Sequence, residues 1–117
     1  GLTEVKPDIL INGSRNANIV IDQYLRTEDG IPMNQAPFLV PHGFIIYAMS
    51  VTCNESSTCT FEIHNNEVLI PSATVSLNNE KEKYIDLNVG VTAGSKLMIF
   101  NKGTSNKPSV NVLLKRV

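Results

Sequence analysis

Residues 60–70 read Thr60-Phe61-Glu62-Ile63-His64-Asn65-Asn66-Glu67-Val68-Leu69-Ile70, and this stretch decides the fold class. Phe61 and Ile63 alternate with Glu62 and His64. A period of two puts the apolar pair on the inner face of an extended strand and the polar pair outside. Asn65-Asn66 follows as a tight hairpin turn, since asparagine tolerates positive φ. Val68-Leu69-Ile70 returns, and Pro71, with no N–H for a ladder, ends that strand.

The same pattern extends in both directions. Upstream, Phe38-Leu39-Val40 leads into a turn at Pro41-His42-Gly43, and 44–52 is apolar on both faces, as in a central strand. Downstream, Thr74-Val75-Ser76-Leu77 alternates, and 78–83 is a charged loop or strand entry. Ile85, Leu87 and Val89 then share one face; 96–100 and 109–115 are the remaining strands. No window of eleven or more residues combines helical period with caps. Roughly eight short strands predict an all-β fold, an antiparallel β-sandwich of jelly-roll type. An immunoglobulin-like sandwich competes less well: the chain has no tryptophan, and its two cysteines stand too close together to join two sheets.

Residues 1–35 differ from the rest. Two apolar patches, Ile9-Leu10-Ile11 and Ile19-Val20-Ile21, flank a turn-rich Asn12-Gly13-Ser14-Arg15-Asn16. This predicts an extended N-terminal arm with short strands, followed by a sandwich domain over 36–117. Both patches need cover, from the domain edge or from a neighbouring subunit, so all six residues are candidates for anchoring. On the strand faces opposite the expected core, Tyr47, Met49, Leu69 and Leu113 are candidates for an oligomer interface; packing under a loop or against the arm is the alternative.

The 117 residues fit one domain, with a formal net charge of −1 and scattered cations. That argues against nucleic-acid binding, which needs clustered cations. The longest apolar run, 44–49, is far short of the ~20 residues of a spanning helix, so no membrane insertion is expected. Cys53 and Cys59 bound a short polar segment. They are candidates for a disulfide if the flanking strands pair across a hairpin, and two ordinary strand-end thiols otherwise.

Catalytic chemistry finds little support. A nucleophile with a positioned base could come only from Cys53 or Cys59 with His42 or His64, and His64 falls at a polar, surface position. Glu62, Glu67 and Asp86 are accounted for by solvated faces. The glycines are isolated turn residues, not a phosphate loop. No cofactor and no metal set is expected. Asn54-Glu55-Ser56 fits the N-glycosylation pattern. Turn asparagines at Asn65, Asn66 and Asn106 could hydrogen-bond sugar hydroxyls on a loop-borne site. Without tryptophan, only Tyr24, Tyr47 and Tyr84 are left as stacking platforms.

Three further stretches carry a resemblance: Tyr24-Leu25-Arg26-Thr27-Glu28-Asp29-Gly30-Ile31-Pro32-Met33-Asn34-Gln35-Ala36-Pro37-Phe38, Val91-Thr92-Ala93-Gly94-Ser95-Lys96-Leu97, and Pro108-Ser109-Val110-Asn111-Val112-Leu113-Leu114-Lys115-Arg116. Over 24–117 the chain resembles small jelly-roll domains of bacteriophage virion proteins: fibres, receptor-binding knobs and capsid decoration proteins. The shared features are turns and strands, with no catalytic signature. The resemblance implies a homotrimer on a virion, attached to other capsid or tail proteins. The alternative is a carbohydrate-binding module with its site on the loops, whose partner would be a host-surface glycan.

Overall fold

The computed structural model describes residues 6–19 and 30–117. Among these residues are seven strands: β1 Ile9–Ser14, β2 Ile31–Pro32, β3 Phe38–Leu39, β4 Phe44–Asn65, β5 Val68–Val91, β6 Lys96–Thr104 and β7 Ser109–Arg116. All strand pairs are antiparallel. The fold is an all-β, antiparallel, curled sheet of the sandwich type.

β4 and β5 are much longer than the short strands expected, at 22 and 24 residues. They form one hairpin that runs through two layers. In the first layer the order is β1–β7–β4–β5, using 44–52 of β4 and 82–91 of β5. In the second, β2 and β3 pair with β6, β6 with 58–65 of β4, and β4 with the first part of β5. The sheet curls so that both inner faces enter one core. Met49, Val112 and Leu114 come from the first layer, and Phe61, Ile63, Leu77 and Ile99 from the second. Burying each such side chain stabilises the fold by roughly 1.5–3 kcal/mol.

The turn between β4 and β5 is Asn66-Glu67, with φ of 50° and 70°, one position later than the sequence predicts. Two positive φ values give the twist a two-residue hairpin needs. Pro71 does not end β5. Glu62 pairs with Thr74 and His64 with Leu69, so five steps of β5 face two of β4. Pro71 falls in that bulged stretch, where its missing N–H breaks no ladder bond.

A second irregularity overturns one interface candidate. Ile46 pairs with Leu114 and Ala48 with Leu113, so β4 carries one extra residue, Tyr47, relative to β7. A one-residue insertion inverts which side chains face inward. Phe44 and Ile46 point in before it and Met49 and Val51 after it, and Met49 is fully buried opposite Val112.

The described residues of the N-terminal segment, 6–19 and 30–35, are built into the domain and do not form a separate arm. β1 pairs with β7 over its whole length. Ile11, Ile19 and Met33 lie in the common core, and Ile9 packs against it. Ile19 exchanges two backbone hydrogen bonds with Ser105, at 2.8 and 2.9 Å. Gly13 fits closely over Met33, whose Cβ stands 2.7 Å from where a Gly13 Cβ would be. Pairing of β2 with β6 crosses the boundary expected after residue 35. Val20 and Ile21 lie outside the described residues.

Candidate functional site

The two outer faces carry the candidate sites. On the first layer, cross-strand pairing aligns Leu10 with Leu113 and Ala48, and Asn12 with Asn111, Ser50 and Tyr84. Residues directly opposite in a ladder share a face. The tyrosine of the bulge, Tyr47, joins them: its phenol is pushed above the ordinary value first by burial, then by neighbouring Tyr84 and Asp8. Leu10 and Tyr84 are 54% and 57% exposed. Beside them runs an amide ladder. Asn12 Nδ2 donates to Asn111 Oδ1 at 2.7 Å, and Asn111 Nδ2 donates to Ser50 Oγ at 3.3 Å. Of the interface candidates, Tyr47 and Leu113 meet here. Leu69 lies on the other layer, paired with His64, and Met49 is internal. From the anchoring set, Leu10 is the one described residue that contributes to this face.

The second layer's outer face is not the solvated surface its alternation predicts. Glu62 and His64 do point outward, yet they are 8% and 4% exposed. Their partners across the ladder cover them: Phe100 lies opposite Glu62, and Met98 opposite His64. The Phe100 ring sits 4.6 Å from the His64 ring at 60°. Lys102 Nζ lies 3.1 Å from Glu62 Oε1, and His64 Nε2 lies 3.8 Å from the same oxygen. A groove of about 690 Å³ opens beside this cluster, lined by Pro37, His64, Asn66, Glu67, Lys96 and Phe100, among others. The missed signal was in β6: Lys96, Met98, Phe100 and Lys102 share one face, so that face carries long side chains able to cover their neighbours.

The three glycan candidates do not form one site. Asn65 and Asn66 stand at the β4–β5 turn. Asn65 Nδ2 donates to Ser95 Oγ at 3.2 Å, and Asn66 Oδ1 accepts from the Lys96 N–H at 3.2 Å. Asn106 is at the far end of the β4–β6 ladder, about 23 Å away at the usual rise per residue. There its N–H donates to Ser57 Oγ at 3.1 Å, beside a polar hollow of about 390 Å³ that includes Thr58 and Ser105. Of the stacking candidates, Tyr24 lies outside the described residues, and Tyr47 and Tyr84 are on the first layer.

Cys53 and Cys59 are both free thiols. The hairpin their pairing required is not there: both lie on β4. They are nevertheless near enough for Cys53 to act on the Cys59 thiol. Burial pushes the Cys59 thiol up to about 12; Cys53 adds to the rise, and the Asn101 amide opposes it. Cys59 faces inward and His64 outward, so they do not form a nucleophile–base pair. His42 lies two residues before β4, stacked on Phe44 at 4.3 Å.

No protein-family model and no curated protein matches the sequence. Among solved structures, the chain is similar to the nucleoplasmin-like N-terminal domain of Drosophila FKBP39, at 12% identity and TM-score 0.46, covering 97% of this chain and 96% of that one. It is similar to the C-terminal CBM6 of a marine laminarinase from Zobellia galactanivorans, at 11% identity and TM-score 0.37, covering 90% and 99%. It is also similar to the virus-like particle protein of the extra small virus of the giant freshwater prawn Macrobrachium rosenbergii, at 12% identity and TM-score 0.37, covering 97% and 82%. Likenesses this weak assign no function.

Proposed function

We propose that this chain is a non-catalytic structural domain of a virion, a fibre or capsid-decoration domain of bacteriophage type, that assembles as a homotrimer through the outer face of its first layer. The observation that carries this reading is that Leu10 and Tyr84, both exposed, and Tyr47 and Leu113, both half-buried, share one sheet face beside the amide ladder. Large apolar side chains gathered on one accessible face mark an interaction surface. A second copy is the occupant that fits. Asn12 and Asn111 offer both donors and acceptors, so they can pair with polar groups on the rim of a neighbouring copy in a closed ring. A net charge of −1 gives copies little reason to repel. In this reading the partners are further copies of the chain and other head or tail proteins, and the location is the outside of the particle. Attachment does not run through Ile9, Ile11 and Ile19, which the domain uses internally.

Light scattering on the purified chain tests the reading. The expected result is a three-chain mass that falls to one chain when Tyr84 and Leu113 are both replaced by Lys, with the strand spectrum unchanged. A wild-type monomer at high concentration would contradict it.

A carbohydrate-binding function is the second reading, favoured by the groove beside Phe100. The groove combines an aromatic ring with Asn66, Glu67 and Lys96, the mixture of flat apolar surface and polar groups a sugar requires. A glycan array should then give a signal that Phe100→Ala abolishes, and a blank array would remove this reading.

A further inference from the structure

The corner where β4 passes from one layer to the other holds an arrangement neither reading uses. Thr52 pairs with Glu82 and Ser57 with Glu80, so five steps along β4 face two along β5. The surplus residues fold into an excursion fixed at both ends. The Asn54 N–H donates to the Asn106 carbonyl at 2.8 Å, and Ser57 Oγ donates to the Glu55 carbonyl at 3.0 Å. The Asn106 N–H also donates to Ser57 Oγ at 3.1 Å, so Asn54 and Ser57 are held on one residue and the excursion folds half-buried Cys53 toward Cys59, which is 5% exposed.

We propose that Cys53 and Cys59 form a reversible intrachain disulfide when the protein meets a low-molecular-weight disulfide oxidant. A disulfide needs its two sulfurs about 2 Å apart, so the thiols must move toward each other to bond. The excursion can absorb that movement because its residues are outside the β4–β5 ladder. Cys53, the more accessible thiol, reacts first. Its thiolate attacks one sulfur of glutathione disulfide and expels one glutathione thiolate. Cys59 then loses its proton to solvent and attacks the Cys53 sulfur, expelling the second glutathione. The two protein thiols lose two electrons and two protons, and glutathione disulfide gains them as two glutathione thiols. The high pKa of Cys59 makes the second step the slow one, faster as pH rises. The bond would pin the corner that relates the two layers.

Intact-mass measurement after treatment with excess glutathione disulfide at mildly alkaline pH tests this. Wild type should lose the mass of two hydrogens, retain no glutathione and show no free thiol. Its melting temperature should rise by about 5–10 °C, reversed by dithiothreitol. Cys59→Ser should stop at a glutathione adduct on Cys53. Cys53→Ser, altered at the less buried position, should stay unmodified while folded. A wild type that keeps its glutathione adduct at alkaline pH, forms only interchain dimers or stays fully reduced would overturn the proposal.

Discussion

In the first layer the outward side chains of β1 and β7 include Leu10, Leu113, Asn12 and Asn111; in the second, those of β4 and β6 include Glu62, His64, Phe100 and Lys102. Inward, the layers are alike: branched aliphatics and phenylalanines meeting in a single cluster. The same two strands run through both, so the difference does not come from topology. It comes from which residues occupy the solvent phase of each strand. One outer face is apolar and amide-lined and suits a flat contact with another copy. The other is charged and grooved and suits a small ligand. Function on this scaffold is therefore to be sought outside the core.

Removing an element common to both layers should have the largest effect. Deleting residues 1–23 strips β1 from β7 and takes Ile11 and Ile19 out of the core. The expected outcome is loss of cooperative thermal unfolding, whereas a detachable arm would leave the sandwich intact. Next in size, Met49→Ala should cost about 2–5 kcal/mol in urea unfolding. Leu113→Ala, on the outer face, should cost about 0.5 kcal/mol under the same conditions. Equal costs would mean that the inversion at Tyr47 is misplaced. Lys102→Met should cost about 1–3 kcal/mol, because it leaves the Glu62 carboxylate buried without its ammonium partner.

A smaller effect separates the reduced corner from the rest. The folded Cys59 thiol titrates near 12 against an ordinary 9.0. The folded state thus holds a proton that the unfolded chain gives up above pH 9. Stability is fully present below 9 and falls as pH rises toward 12, on the order of 1 kcal/mol per pH unit. Urea midpoints of reduced wild type and Cys59→Ala between pH 8 and pH 10.5 measure it, and parallel curves would argue against a buried Cys59.

The parts of the fold legible in the sequence are those set by local alternation. Phe61 and Ile63 point inward as their spacing requires, and Ile85, Leu87 and Val89 pack against the core from one face of β5. The reversal at Tyr47 was not legible, because an extra residue in β4 is extra only relative to β7, which lies about sixty residues further along. The polar stretches 53–58 and 78–83 resemble loops, since strands crossing a corner have little core to cover. For the same reason the spacing of Cys53 and Cys59 pointed to a hairpin and not to an excursion within one strand. On the candidate sites, Tyr47 and Leu113 were found from strand phase. The groove was missed because Glu62 and His64 are buried by residues on another strand, which alternation within β4 cannot reveal.

The contrast between the layers is tested most directly by sedimentation velocity on wild type, Leu10→Lys and Lys96→Glu across a concentration series. A species of three chains is expected for wild type and Lys96→Glu, and a single chain for Leu10→Lys. Wild type sedimenting as one chain throughout, or dissociation caused by Lys96→Glu and not by Leu10→Lys, would contradict it.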